Sequence, residues 1–227
     1  MLEKLLELER NSFLWLNGNH NPFWDSFMWF YTGKIVWIPL ILMLLFILFY
    51  KTDWRESVFI ILAIVLLVGL CDQFTSTICK PYFMRFRPTY HPDFKDIVHT
   101  VNDYRGGQYG FISGHAANSF SFAIFSLLLF HYRPYTIIVL VWSILMAYSR
   151  IYLGVHFISD VIPGALTGIL FGFPVYKLYV TVRRSVLKKT NKPCCIYPDF
   201  RKRLIIYALC ATVLFMLIYS FIKITTT

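Results

Sequence analysis

Six long apolar stretches constrain the fold of this sequence more than any other feature. They cover residues 35–50, 58–79, 118–130, 135–148, 157–180 and 204–221. A helix needs roughly 20 mostly apolar residues to cross the core of a bilayer. Because lipid offers no hydrogen-bond partners, the backbone N–H and C=O groups of a spanning segment must bond to one another, as they do in a helix. The sequence therefore predicts an all-α membrane protein with six transmembrane helices, the third and fourth being the shortest.

The composition agrees with this interpretation. Of the 227 residues, 57% are hydrophobic and 15% are charged, whereas soluble domains carry about 25% charged residues. A soluble domain, a disordered chain and a coiled coil are therefore excluded. The net charge of +10 does not indicate a nucleic-acid partner, because the basic residues stand in loops between apolar stretches. Such a distribution is typical of membrane orientation and contact with anionic lipid.

The N-terminal segment differs from the rest of the chain. Apolar residues recur at helical spacing, and charged residues lie between them; these are Leu2, Leu5, Leu6 and Phe13, and Glu3, Lys4, Glu7, Glu9 and Arg10. This pattern predicts an amphipathic helix in the membrane interface. It does not resemble a secretory signal, because its start is acidic and no cleavage site follows. We expect residues 1–33 to form an interfacial segment and residues 34–227 a single transmembrane domain.

The orientation depends on the loop at residues 181–203. It contains eight basic residues and a single acid, Asp199; the basic residues are Arg183, Arg184, Lys188, Lys189, Lys192, Arg201, Lys202 and Arg203. The positive-inside rule places such a loop in the cytoplasm, against anionic lipid headgroups. Alternation then places both termini and the loop at residues 80–114 on the outer face. That face also carries several cations, and a negatively charged substrate would explain them.

Cationic and small polar residues collect at the outer ends of the predicted spans. Lys80 and Arg87 follow the second span, Ser113 and Gly114 precede the third, and Arg150 follows the fourth. Arginine forks match phosphate oxygens, and lysine supplies a point charge. A serine at a helix N-terminus is a typical N-cap, and the free backbone N–H groups there favour an anion. These residues predict a phosphate-binding site.

Two histidines and one carboxylate supply groups for chemistry at the same face. His156 and Asp160 are four residues apart, as they would be on one helical face, so the carboxylate can orient the imidazole. His115 can donate a proton to a leaving oxygen. The cysteines and histidines have no metal-ligand spacing, so we expect neither a metal nor a cofactor. Together these residues favour phosphoryl transfer through a phosphohistidine.

The three motifs together resemble those of the type 2 phosphatidic acid phosphatase superfamily. They read Lys-x6-Arg-Pro, Ser-Gly-His and Ser-Arg-x5-His-x3-Asp, and they span Lys80 to Asp160. This superfamily includes membrane lipid phosphatases, glucose-6-phosphatase and vanadium-dependent haloperoxidases. Its second motif usually begins with proline, where this sequence has Ile112. The difference affects the stiffness of the loop before Ser113 and removes no catalytic group.

The resemblance implies a role for each motif residue. His156 would be the nucleophile, Asp160 would orient it, and His115 would protonate the leaving oxygen. The phosphate oxygens would be held by Lys80, Arg87, Ser113, Gly114 and Arg150. The resemblance also implies the superfamily's helical bundle and a reaction without a metal.

The resemblance predicts a lipid phosphatase of the bacterial inner membrane, with its site facing the periplasm. Candidate substrates are lipid A phosphate, undecaprenyl diphosphate, phosphatidylglycerophosphate and phosphatidic acid. Residues 113–120 are most similar to those of lipid A and undecaprenyl diphosphate phosphatases. Two alternatives remain: a phosphotransferase that uses the same phosphohistidine, and a non-catalytic lipid-binding or transport protein.

Several residues near the motifs have open interpretations. Arg85 could contact a headgroup or be a solvated charge. Asp72 could orient Lys80, although an interhelical hydrogen bond is the more common role of such a residue. The loop at residues 81–112 is rich in aromatic residues and is typical of a lid. The remaining histidines, which are His20, His91, His99 and His131, are expected to be interfacial or loop residues.

Overall fold

The computed structural model describes residues 2–226, with side chains from Lys4 onward. The predicted apolar and charged side chains of Leu2 and Glu3 lie outside the described residues. The described chain forms the α-helices α1 (Leu2–Gly18), α2 (Pro22–Thr32), α3 (Ile38–Phe49), α4 (Trp54–Asp72), α5 (Lys80–Phe83), α6 (Gly114–Phe130), α7 (Arg133–Tyr152), α8 (Ile158–Val186) and α9 (Asp199–Thr226). Within residues 2–226 the extended structure amounts to an isolated bridge between Phe86 and Tyr109. The predicted all-α class is therefore confirmed.

Among the described residues, four helical segments are long and apolar enough to cross a membrane. They are Trp54–Phe83, which joins α4 to α5 through the π-helical Gln73–Cys79, and Arg133–Tyr152, Ile158–Val186 and Asp199–Thr226. A fifth span results if Pro22–Thr32 and Ile35–Phe49, bent by 69°, are counted as one. The remaining predicted span, the third in chain order, is α6, which has 17 residues. Most of its apolar residues are buried against other helices, so lipid does not set its length.

The contact between α6 and α8 is the most extensive in the bundle. Gly164, Gly168 and Gly172 form a stripe of small residues on α8 at intervals of four. A methyl group at Gly168 would lie 2.3 Å from the backbone oxygen of Ala117, and one at Gly164 would lie 2.6 Å from that of Ser113. Glycine therefore allows the two helix backbones to approach closely, as small residues do between membrane helices. This approach brings together the N-termini of α6 and α8.

We expect Gly168→Ala to destabilise the protein by about 1–3 kcal/mol, the usual cost of overpacking a core. The added methyl group would meet backbone that cannot rotate away. Gly69→Ala in α4 is the matched control, because a methyl group there meets no atom within 4 Å. It should be neutral, or stabilising by up to about 1 kcal/mol. Unfolding of both variants in detergent measures the difference, and equal stabilities would contradict the packing argument.

The helix α1 packs on the bundle at the end where α6 and α8 begin. Leu6 and Phe13 are buried, whereas Glu7 and Leu8 are exposed. The described part of the helix therefore has one face packed on the bundle and one exposed face. Asn17 fixes its C-terminal end, because its amide nitrogen donates to the backbone oxygen of Tyr152 at 2.9 Å. The location of α1 in a membrane interface stays a prediction, as does the boundary after residue 33.

The basic loop at residues 181–203 lies at the opposite end of the bundle and includes the C-terminal end of α8 and the start of α9. Within it, Arg183 and Lys189 both pair with the buried carboxylate of Glu56. Arg201 donates to the backbone of Tyr50, and Lys202 pairs with Asp199. Half of the eight cations therefore have partners inside the protein. Binding of anionic lipid by the loop stays a prediction, which the exposed Arg184, Lys188, Lys192 and Arg203 could fulfil.

Candidate active site

All eight predicted site residues lie at one end of the bundle. They come from α5, from the loop between α5 and α6, from the N-terminus of α6, from the C-terminus of α7 and from the segment that begins α8. The residues are Lys80, Arg87, Ser113, Gly114, His115, Arg150, His156 and Asp160. A hydrogen bond from the Ser113 N–H group to the backbone oxygen of Asp160, at 3.0 Å, ties the second motif to the third.

His156 lies just before α8, not on it. The helix begins at Ile158, so the expectation that His156 and Asp160 share a helical face is wrong. They meet nevertheless, with Nδ1 of His156 3.4 Å from Oδ2 of Asp160. The same Oδ2 accepts the N–H group of Phe157 at 3.0 Å. The Asp160 side chain is fully buried, and its fixed carboxylate favours the tautomer of His156 with hydrogen on Nδ1.

Arg87 covers the other nitrogen of the same imidazole. Its Nη1 lies 2.9 Å from Nε2 of His156 and donates to the backbone oxygen of Val155 at 2.9 Å. Because an arginine N–H group only donates, Nε2 must be the acceptor and carries the free electron pair. Burial, and then the charge of Arg150, lowers the pKa of Arg87 to about 10. The guanidinium therefore remains charged at neutral pH.

The environment of His156 favours its neutral form. Burial, followed by the charges of Arg87 and Arg150, lowers the pKa of His156 well below its usual range. At neutral pH the imidazole is therefore uncharged and has a nucleophilic nitrogen. A buried, neutral imidazole beside several cations is an arrangement that can attack an anionic phosphorus centre.

Arg150 and His115 line a cleft of about 760 Å³. The Nη1 of Arg150 donates to Oγ1 of Thr32 at 2.6 Å, and its guanidinium lies 5.8 Å from the ring centre of Tyr104. The Nε of Arg150 has no hydrogen-bond partner among the described residues. The guanidinium therefore retains an N–H group that can donate to a ligand. The outer walls of the cleft are apolar and come from α2, α9 and the segment between α2 and α3; they include Trp29, Phe30, Ile35, Val36, Phe215 and Met216.

The predicted N-cap is confirmed. The Ser113 hydroxyl accepts the Ala116 N–H group at 3.5 Å, and α6 begins at Gly114. A methyl group at Gly114 would lie 3.1 Å from Oγ1 of Thr75, so glycine lets the start of α6 pack closely on the end of the Trp54–Phe83 segment. The first N–H groups of a helix lack helical partners and are available to an anion.

Lys80 is oriented from within its own helical segment. Its Nζ donates to the hydroxyl of Ser76 at 3.3 Å, and that hydroxyl lies 3.5 Å from a carboxylate oxygen of Asp72. The described contact of Asp72 is thus toward Lys80 and is not an interhelical bond. Lys80 also lies close enough to Arg87 and Arg150 to interact with them electrostatically.

Both interpretations of Arg85 are wrong. Its side chain is buried, and its Nη1 lies 2.6 Å from Oδ1 of Asp160. Its Nη2 pairs with Glu9 of α1 at 3.1 Å. Sequence reasoning missed both residues as parts of the site. A cation between the apolar Met84 and Phe86 was the available signal for Arg85, whereas the position of Glu9 depends on how α1 docks.

Two of the other histidines form a contact away from the motif residues. Nδ1 of His20 lies 2.6 Å from Oδ1 of Asp25, and the His20 ring stacks on that of His99 with 4.7 Å between centres. Both residues lie in loops, as expected, although His20 has a partner that the sequence did not suggest.

A family model and two curated relatives all relate this chain to membrane lipid phosphatases. The family model described as the PAP2 superfamily matches residues 56–184. A lipid A 4'-phosphatase of Porphyromonas gingivalis is 44% identical over 223 residues, covering 96% of this chain and 94% of that protein. A lipid A 4'-phosphatase of Bacteroides thetaiotaomicron is 34% identical over 225 residues, covering 98% of this chain and all of that protein.

Solved structures agree with this assignment. The crystal structure of Aquifex aeolicus LpxE has a TM-score of 0.54 at 28% identity and covers 74% of this chain and 93% of that one. A transmembrane PAP2-type phosphatidylglycerolphosphate phosphatase from Bacillus subtilis has a TM-score of 0.60 at 23% identity, covering 80% of this chain and 89% of that one, which supports the fold. Because the family model covers more than half of the residues, and because relatives align along nearly all of them, the chain is a multi-pass membrane protein of the PAP2 superfamily.

Proposed function

We propose that this protein is a lipid phosphatase that removes the 4'-phosphate of lipid A. The alignment with two lipid A 4'-phosphatases along almost the whole chain carries this proposal. The site supports it chemically, because a neutral His156 is surrounded by Lys80, Arg87 and Arg150. The cleft supports a lipid substrate, because its apolar walls lead to cationic groups.

The first chemical step is attack on phosphorus by Nε2 of His156. The P–N bond forms while the bond between phosphorus and the ester oxygen breaks. His115 takes up a proton from solvent as the phosphate anion binds beside it, and it gives this proton to the departing oxygen. Arg87 keeps its bonds to the backbone oxygens of Val155 and Tyr109 and turns the donor that contacts Nε2 toward a phosphate oxygen. Asp160 stabilises the positive charge that develops on the imidazole. Catalytic contacts often lengthen in empty sites and tighten with substrate, as the 3.4 Å pair requires.

The second step is hydrolysis of the phosphohistidine. His115, now neutral, takes a proton from water as the water oxygen attacks phosphorus. The P–N bond breaks, and inorganic phosphate leaves together with a neutral His156. Lys80, Arg87 and Arg150 offset the phosphate charge in both steps, so we propose a reaction that does not depend on a metal.

The site should face the periplasm from the bacterial inner membrane. The helix α8 has 29 residues, which corresponds to about 43 Å at 1.5 Å per residue. The site and the basic loop at residues 181–203 therefore lie at opposite ends of a membrane-length helix. Since the basic loop is expected to be cytoplasmic, the site is periplasmic. This arrangement counts α6 and the bent α2–α3 pair among six crossings.

The proposal is tested by phosphate release from purified protein in detergent with EDTA. The substrates are bis-phosphorylated lipid A, undecaprenyl diphosphate, phosphatidylglycerophosphate and phosphatidic acid. We expect release from lipid A, with mass spectrometry locating the loss at the 4' position. Release from a different lipid alone would contradict the assigned substrate, and inhibition by EDTA would contradict metal independence. Phosphate release that requires an added acceptor would favour the phosphotransferase alternative. No reaction with any of the four would favour a lipid-binding protein.

A further inference from the structure

A second carboxylate lies behind the catalytic pair, on the helix that no sequence motif includes. Glu9 of α1 pairs with Nη2 of Arg85 at 3.1 Å, and Nη1 of the same guanidinium pairs with Asp160 at 2.6 Å. Nδ1 of His156 in turn lies 3.4 Å from Asp160. The structure thus contains the continuous series Glu9, Arg85, Asp160 and His156, which alternates in charge as far as Asp160 and ends at the proposed nucleophile.

This series is withdrawn from solvent along its length. The side chains of Arg85 and Asp160 are 2% and 0% exposed, and that of Glu9 is 10% exposed. The Arg85 guanidinium also lies over the ring of Phe157, 4.9 Å from its centre. Charge interactions are stronger in such a setting than at an exposed surface. Ion pairs at an exposed surface contribute little to stability. The Glu9–Arg85 and Arg85–Asp160 pairs are buried and differ from them in this respect.

Glu9 also holds the first turn of α8, the helix that carries Asp160. Its Oε2 accepts the Ser159 N–H group at 2.8 Å, and its Oε1 accepts the Ser159 hydroxyl. Ser159 precedes Asp160, so the same carboxylate fixes both the backbone beside Asp160 and the cation against it. The α1 helix therefore contacts the catalytic carboxylate through two independent routes.

The charge of Glu9 has a specific consequence for Asp160. A buried arginine without a second partner would attract the Asp160 carboxylate strongly and leave it less able to stabilise a charged imidazole. Glu9 offsets part of the Arg85 charge, so the combined charge of Glu9, Arg85 and Asp160 beside the imidazole stays negative. Neither Glu9 nor Arg85 contacts Nε2, where phosphorus would bind, so both act through Asp160.

We propose that Glu9 and Arg85 are positioning residues for the reaction, and that α1 supports the catalytic pair through Glu9. The proposal rests on the phosphatase function proposed above. It predicts that the charge of Glu9 affects the chemical step more than substrate binding.

The decisive comparison is Glu9→Gln against Glu7→Gln, an exposed residue of the same helix. The amide keeps the shape of Glu9 but has a single acceptor oxygen. The substitution therefore removes the charge and also one of the two sets of hydrogen bonds that the carboxylate oxygens accept. We expect kcat on lipid A to fall on the order of tenfold, the size typical of losing a residue that orients a catalytic group through another side chain. KM should stay within about twofold, since binding groups are unchanged. Glu7→Gln should match the wild type, and equal kcat values for all three proteins would overturn the proposal.

The pH profile separates a charge effect from a merely structural one. The charged groups around His156 are the cations Lys80, Arg85, Arg87 and Arg150 and the anions Glu9 and Asp160, with His115 also nearby. Removing the negative charge of Glu9 makes this environment more positive and disfavours the imidazolium. The pKa of His156 should fall, and the acidic limb of kcat/KM should move to lower pH. An unchanged limb together with a lower melting temperature would indicate only a structural role.

A double-mutant cycle tests the route through Arg85. Glu9→Gln should cost little in an Arg85→Gln background, because its effect depends on the guanidinium. Additive losses would contradict the proposed series. If lipid A is not hydrolysed by the wild type, the proposed function fails, and orthovanadate binding followed by thermal shift still tests the positioning. Glu9→Gln should then weaken vanadate affinity on the order of tenfold, and an unchanged affinity would overturn the inference.

Discussion

Replacing His156 with asparagine should lower kcat on lipid A by a factor on the order of 10^4 or more. Asparagine has no electron pair that can form a phosphoenzyme, so the two-step route is closed. The substitution removes a buried ring, but the bonds of Arg87 to Val155 and Tyr109 remain. The binding groups for phosphate should therefore persist, and KM should change much less than kcat. Phosphate release from radiolabelled lipid A measures both parameters.

The matched control for this variant is His131→Asn. His131 is exposed at the end of α6 that is remote from the site, in a left-handed conformation that asparagine tolerates. Its activity should equal that of the wild type. Rapid quenching should also trap an acid-labile phosphoenzyme in the wild type and in His131→Asn, but not in His156→Asn. A His156→Asn protein that retains a tenth of the activity would exclude His156 as the nucleophile.

The local part of the site could be predicted from the sequence. Ser113 caps α6 as its position before an apolar helix indicates. His156 and Asp160 are close together as expected, although His156 lies before α8 and not on its face. Cations next to span ends also predict the anion site, because charge is costly there unless it has a function. These features depend on neighbours within a few residues, or on chemistry that few residue types can perform.

The long-range part could not be predicted. Glu9 reaches Arg85 across 76 residues of sequence and Ser159 across 150. Its spacing on α1 is that of a residue on a solvated helix face, and only the docking of the helix shows otherwise. Arg85 was misinterpreted for the same reason, since its partners come from α1 and α8. Periodicity describes which face of a helix is polar but not which polar residue finds a buried partner.

The span count shows a related limit of hydropathy. The helix α6 contains Ser119, Ser121 and Ser126, whose hydroxyls donate to backbone oxygens of their own helix. It is surrounded by protein, with α8 held close by Gly164 and Gly168. A central helix of this kind needs small residues more than a long apolar surface. The small and hydroxyl residues of α6 lower its hydropathy, and they also let it pack closely on α8. That close packing places Ser113 against Asp160.

Asp160→Asn should lower kcat by a factor of about 10^3–10^4, the size seen when a histidine loses its orienting carboxylate. The amide oxygen can still accept the Phe157 N–H group, so the start of α8 should remain in place. What is lost is the negative charge that stabilises the imidazolium and matches Arg85.

Glu9 makes this experiment informative about folding as well as chemistry. In Asp160→Asn the buried Arg85 retains one carboxylate partner, so the melting temperature should fall less than it would for a wholly unpaired charge. The exposed loop residue Asp96 provides the control Asp96→Asn, which should leave both activity and stability unchanged. If Asp160→Asn keeps kcat within tenfold of the wild type, then Arg87 and the backbone alone orient His156. In that case Glu9→Gln should also have no effect, because both substitutions act on the same carboxylate.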